Sequence, residues 1–176
     1  MKILCIIGES GSGKTTAAEY IEDVYDIPMI QSYTDRKPRY KGENGHTFIT
    51  KQQFDLLNKR DMIAYTEFGG NRYCCLHKDV KDVNTYVIDD YGYKYLKRKY
   101  NKLYEVKALR ISRDEKKRRE CTSKDRIQRD KDKFFIPLDY YDYIVSNNCD
   151  LLELYNSIDF VAQDFFGFNK LWEQKI

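Results

Sequence analysis

Residues 8–15 read Gly-Glu-Ser-Gly-Ser-Gly-Lys-Thr, directly after the apolar run KILCII and directly before a helical stretch. Glycines at this spacing let a backbone wrap so that its N–H groups and the N-terminus of the next helix converge on one anion. A lysine and a hydroxyl at the end of the wrap complete a polyphosphate cradle. Lys14 is then expected to bridge the β and γ phosphates, and the Thr15 hydroxyl to ligate Mg²⁺. Gly8, Ser10, Gly11, Ser12, Gly13 and Thr16 make up the rest of the expected triphosphate site.

Such a loop needs a strand that ends beneath it and a helix that starts from it, and the chain repeats that unit. Apolar runs at 2–7, 85–89, 104–111 and 141–147 read as buried strands. Helical stretches follow at 14–25, 91–100, 113–134 with a break near 121–123, and 150–165. Strand then helix, repeated, predicts an α/β fold: a parallel sheet between two layers of helices. Residues 28–83 interrupt the pattern with a Gly-containing loop, a helix at 51–60, and strands at 62–68 and 72–76 joined by Gly-Gly-Asn. They predict a small inserted α+β subdomain. A chain of 176 residues, 41% hydrophobic, suits one domain.

The net charge of +3 is unevenly spread. Residues 110–133 hold eleven Lys and Arg against six Asp and Glu, a local +5, which leaves −2 for the rest. No recognition motif or aromatic stacking platform accompanies this segment, which speaks against a nucleic-acid partner. It reads either as a solvated helix face or as an arginine-rich cover for polyphosphate. No apolar run reaches the roughly 20 residues of a membrane span. Five cysteines without CxxC spacing, and His46 and His77 far from any metal-type cluster, predict reduced, metal-free thiols and a cytoplasmic protein.

A phosphate loop alone leaves the fate of the γ phosphate open. Downstream, residues 32–39 read S-Y-T-D-R-K-P-R and are followed by K-G-E-N-G-H-T-F; later come F-G-G-N-R-Y at 68–73, V-I-D-D-Y-G at 87–92 and D-Y-I-V-S-N-N at 142–148. In this order, across nearly the whole chain, these segments resemble those of guanylate kinases. The resemblance implies a P-loop nucleoside monophosphate kinase with ATP as donor, Mg²⁺, and a helical lid at 113–133 within a core of 1–27 and 84–176. It implies that Arg36, Arg39, Tyr73 and His46 hold the acceptor's phosphate, His46 standing where the family has tyrosine. Arg118, Arg126 and Arg129 match lid arginines that neutralise the transferring group, and Asn147 the rim of the adenine site. Asp89 is the expected carboxylate near Mg²⁺, with a helix cap as the alternative for its neighbour Asp90.

The base-reading positions depart from the family. Its guanine-reading glutamate falls on Ala64 and its small hydroxyl residue on Cys75, so that only Ser32 survives. Alanine cannot accept from an N–H edge, and an altered or broad base preference follows. Ala64→Glu is then expected to turn selectivity toward guanine. The expected function is transfer of the γ-phosphoryl group of ATP to a nucleoside or deoxynucleoside monophosphate, by a monomer or homodimer. The alternatives are a binding module without turnover and a kinase acting on a nucleic-acid end or a non-nucleotide.

Overall fold

The computed structural model describes residues 1–131, 137–168 and 170. Its central strand β1 (Lys2–Ile7) is buried along five of its six positions, because helices cover both faces. It pairs in parallel with β6 (Val83–Val87) on one side and β7 (Glu105–Ser112) on the other. β8 (Tyr143–Ser146) continues the parallel sheet beyond β7, giving the order β6-β1-β7-β8. Leu4 and Ile6 pack with α1 (Lys14–Tyr25) and α6 (Leu151–Phe166). Ile3, Cys5 and Ile7 face the other way and meet Tyr93 and Leu96 of α3 (Asp90–Tyr100). The three layers predicted from the repeated unit are present.

A second sheet, formed within residues 32–76, has the order β3-β2-β5-β4. Its strands are β2 (Ser32–Thr34), β3 (His46–Phe48), β4 (Met62–Phe68) and β5 (Asn71–Leu76). The antiparallel β4–β5 pair sets Ala64 opposite Cys75 and Thr66 opposite Tyr73. Beneath it Phe54, Met62, Cys74 and Leu76 form a small apolar cluster of their own.

Several predicted bounds shift for local reasons. The helix expected at 51–60 is only α2 (Lys51–Asp55), opened by a Thr50–Gln53 capping box. The chain then restarts as a 3₁₀ turn at Lys59–Asp61, capped by the Asn58 side chain. The strand expected at 85–89 runs two residues earlier, because Asp89 leaves the ladder to cap α3 by accepting from the Gly92 N–H at 2.7 Å. The cap position is thus Asp89 and not Asp90, whose buried carboxylate accepts from the Tyr141 hydroxyl at 2.8 Å. The long helix divides at extended Thr122 and Ser123 into α4 (Glu115–Cys121) and α5 (Lys124–Asp130); its expected continuation over 132–134 lies outside the described residues. No described helix is long and apolar enough to cross a membrane.

Phe54 is 3% exposed, and the Arg72 guanidinium lies 4.5 Å from its ring centre. Phe54→Ala should lower the unfolding free energy by about 3–5 kcal/mol, read from urea melts. A loss below about 1 kcal/mol would show that the second sheet does not depend on this cluster.

Candidate active site

The loop between β1 and α1 is held from several sides. A Cβ on Gly8 would stand 2.3 Å from the Ile111 carbonyl oxygen of β7, so only glycine lets the strand turn there. Gly13 caps α1 at φ 101°, in the left-handed region, with the Asn147 amide pressed against it. Asn147 Nδ2 donates to the Ser12 carbonyl at 2.9 Å, which makes this expected adenine-rim residue a strut of the loop. Arg118, 8% exposed, donates to the carbonyls of Ser10 at 3.4 Å and Arg113 at 3.0 Å and faces neither cleft described below. Asp130 accepts from the Ser10 N–H at 2.5 Å, and Arg129 reaches the Ser10 hydroxyl at 3.1 Å.

Two clefts open on either side of this loop. One is walled by Ser32, Thr66, Tyr73, Tyr86, Asp89 and Arg129. The other is walled by Gly11, Gly13, Thr16, Arg113, Thr122 and Asn147. Lys14, Thr15, Arg39, His46 and Arg126 line both. Three cationic side chains and a hydroxyl therefore stand where the clefts meet. Arg39, expected on the acceptor side alone, borders both.

Three carboxylates balance this crowd of cations. Glu43 accepts from Arg36 in a two-pronged pair at 2.8 and 3.1 Å, and from the Arg39 guanidinium and backbone N–H at 2.8 and 2.7 Å. Burial raises the Glu43 pKa, but these bonds outweigh it and bring the carboxyl down to about 2. Arg36, tied to Glu43 and 5.1 Å from the Phe48 ring centre, is on neither cleft wall. Glu9 pairs with Arg110 at 2.5 Å, and Asp130 with Arg129 at 2.9 Å. Arg126 differs from these in being paired with none of the three carboxylates, and its buried Nε has no hydrogen-bond partner. Burial, followed by neighbouring Arg39 and Arg129, pulls its pKa below the usual guanidinium range.

Lys14 donates to the Glu9 carbonyl at 2.9 Å. Desolvation is the main cause that brings its pKa down to about 8; Arg126 and Arg110 push the same way, against Asp130 and Glu9. Burial, with Arg36 and Arg39 nearby, lowers His46 to about 4, so its ring is neutral at pH 7. Its Nδ1 is buried without a partner, and the ring lies 5.6 Å from that of Tyr73. Positive charge from several elements is thus concentrated where the two clefts meet.

No family model matches the chain. A crystal structure of guanylate kinase from Anaplasma phagocytophilum superposes with a TM-score of 0.67, covering 99% of this chain and 92% of that one at 19% identity. The fold is that of guanylate kinase. In sequence, the chain is 32% identical over 80 residues to the guanylate kinase of Fusobacterium nucleatum subsp. nucleatum, a match that takes in 44% of this chain and 43% of that protein. The chain thus spans less than half the length of this curated relative.

On this guanylate kinase fold, two expected base-contact residues are not on the cavity wall. Ala64 is 1% exposed and Cys75 fully buried, and both pack in the second core cluster with Tyr86. Ser32 does reach the wall, where its hydroxyl donates to the Tyr86 hydroxyl at 3.1 Å. Asp89 lines the same cleft, but its oxygens already accept from Gly92 N–H and from the Thr66 hydroxyl at 2.9 Å. Sequence reasoning assigned no role to Tyr86, Glu43 or Asp130. Glu43 lies inside the K-G-E-N-G segment and could have been suspected as a partner for two nearby arginines. Asp130 contacts Ser10 across 120 residues, which no local spacing reveals.

Two outcomes follow. Bound polyphosphate should raise the Lys14 pKa above about 8, so nucleotide affinity should be flat below pH 8. It should then fall with rising pH, by at most about tenfold per unit, with proton uptake on binding. Calorimetry in buffers of different ionisation enthalpy measures that uptake, and proton release would contradict it. The Ala64→Glu change, expected from the sequence to redirect base selectivity, would instead bury an unpaired carboxylate. Its cost should exceed about 3 kcal/mol, a fall in Tm of roughly 6–12 °C; an unchanged Tm would put Ala64 on the cavity wall.

Proposed function

We propose that this protein is a nucleoside monophosphate kinase of guanylate kinase type, transferring the γ-phosphoryl group of ATP to a nucleoside or deoxynucleoside monophosphate. The observation that carries the reading is the meeting of two clefts at Lys14, Thr15, Arg39 and Arg126. Transfer between two anionic nucleotides requires their phosphates to lie in line, with cations where charge accumulates. The donor's phosphates lie along the loop, whose N–H groups and helix α1 favour an anion. The acceptor's phosphate lies between Arg39, Tyr73 and the neutral His46. Arg126, partly desolvated and short of a partner, supplies positive charge at the junction, and Arg129 adds to it from the acceptor side.

The residues present suit Mg²⁺ in the way such sites hold it, with few protein oxygens and several from the phosphates. Among the described residues there is no cluster of three or more His, Cys, Asp or Glu that could cage a metal. The exposed Thr15 hydroxyl, open to both clefts, would hold the ion, with Asp89 on the acceptor side. When bound, Mg²⁺ neutralises charge on the transferring phosphates. Residues 28–83 then form the acceptor subdomain and 113–133 the lid, in a cytoplasmic enzyme working as monomer or homodimer.

A coupled assay with ATP, Mg²⁺ and all common ribo- and deoxyribonucleoside monophosphates tests the proposal. Diphosphate formation is expected for at least one acceptor, and Lys14→Ala should lower kcat by about 10²–10³ with the fold intact. Tyr73 touches the acceptor cleft alone, so Tyr73→Phe should raise the acceptor KM about 2–10-fold and leave the ATP KM unchanged. Nucleotide binding without turnover on any acceptor would leave a binding module instead.

A further inference from the structure

The base end of the acceptor cleft is built differently from what the sequence suggested. Ala64 and Cys75, facing each other across β4 and β5, are too small to fill the space between the two sheets. Tyr86 of β6, paired with Cys5 of the central strand, packs with them, is 2% exposed and still lines the cleft. Interiors pack densely, so a large ring opposite two small side chains is a volume exchange. Tyr86 thereby reaches the cleft wall where Ala64 and Cys75 do not.

We propose that Tyr86 is the specificity-determining residue of the acceptor site, and that its ring limits the acceptor to a monophosphate carrying a single-ring base. The inference rests on the kinase reading above and deepens it. Ser32, Tyr86 and Thr66 line the same cleft as Arg39, Tyr73 and His46; on this proposal the base lies against the first group and the phosphate against the second. The second ring of a purine would have to enter the volume held by the Tyr86 ring. A single ring stops short of it and meets the hydroxyls.

The polarity of this part of the wall agrees with that size. Ser32 donates to the Tyr86 oxygen, which leaves the phenolic proton of Tyr86 to be directed into the cleft. Burial raises the Tyr86 pKa well above its ordinary value, so the phenol stays protonated and donates. Its natural partner is a ring carbonyl, which every common pyrimidine carries; guanine carries one too at C6, so the exclusion of purines rests on the volume of the Tyr86 ring.

Two variants and two readouts test this. In the parent, kcat/KM for CMP, UMP and dTMP should exceed that for GMP and AMP by about tenfold or more. Tyr86→Leu, which opens the wall, should cut that ratio at least about tenfold by admitting purines. Tyr86→Phe, which keeps the volume, should lower kcat/KM for pyrimidines about tenfold without admitting purines. Circular dichroism and Tm report folding, and the isosteric Phe variant carries the test if Leu unfolds. Calorimetric binding of the same monophosphates without ATP separates this inference from the kinase reading. Pyrimidine-selective binding without turnover upholds the base pocket and removes the kinase. Turnover with a purine preference, or a folded Tyr86→Leu with unchanged selectivity, overturns the role of Tyr86 and leaves the kinase standing. Binding of no monophosphate overturns both.

Discussion

The close passage of Gly8 under β7 governs the rest of the molecule. Because a Cβ on Gly8 would come within 2.3 Å of the Ile111 carbonyl oxygen, the chain leaving β1 has one way to turn, and that turn sets where the loop's N–H groups point. The parallel register of β1 with β7 is what brings Ile111 to that spot, since Ile7 lies opposite Arg110. Later elements then close on the loop: Asn147 from the end of β8, Arg118 from α4, Asp130 from α5. An anion site made of backbone groups is only as well defined as the backbone, and here side chains from three different elements fix it. The sheet, the helices on its faces and the order of their connections serve this one geometry.

Electrostatics imposes a second condition. Lys14, Arg39, Arg126 and Arg129 stand close together, and their mutual repulsion in a partly dry cleft would oppose folding. Glu43, Glu9 and Asp130 offset it, and the depressed Glu43 pKa measures how strongly Arg36 and Arg39 hold that carboxylate. The balance is local and incomplete: the buried Nε of Arg126 has no hydrogen-bond partner, and burial, then neighbouring cations, lowers the pKa of Lys14 and Arg126 despite the carboxylates nearby. On the kinase reading proposed above, an incoming phosphate would complete the compensation and meet charges that folding has already oriented. Its stabilisation would therefore need little rearrangement of the protein, which is the condition under which fixed charges act most strongly on a reacting group.

The phosphate loop, the central strand and helix α1 over Lys14–Tyr25 were legible in the sequence because each is specified within a few residues. So was the β4–β5 pairing that sets Ala64 against Cys75. Strands β2 and β3, three residues each, were not, since so short a run carries no periodicity and exists only through its pairing with β5 and its own neighbour. The helix at 51–60 was overextended because helix propensity continues through Leu56 and Leu57, whereas Asn58 starts a new turn. Ala64, expected to face the base, lies behind the cleft wall for a tertiary reason: whether a small residue lines a cavity depends on what packs against it, and here that is Tyr86, from a strand of the other sheet.

One contact ties the two halves of the site together. The Arg129 guanidinium lies 4.1 Å from the ring centre of Phe68 at the tip of the β4–β5 hairpin, while the same side chain bonds the Ser10 hydroxyl and the Asp130 carboxylate. The hairpin belongs to the second sheet, Ser10 to the phosphate loop, and Arg129 to α5, so one cation touches all three. A guanidinium can stack on an aromatic face and donate in its own plane at once, which a lysine in its place could not do. The second sheet and the loop after β1 are in this way joined through one side chain rather than through the core.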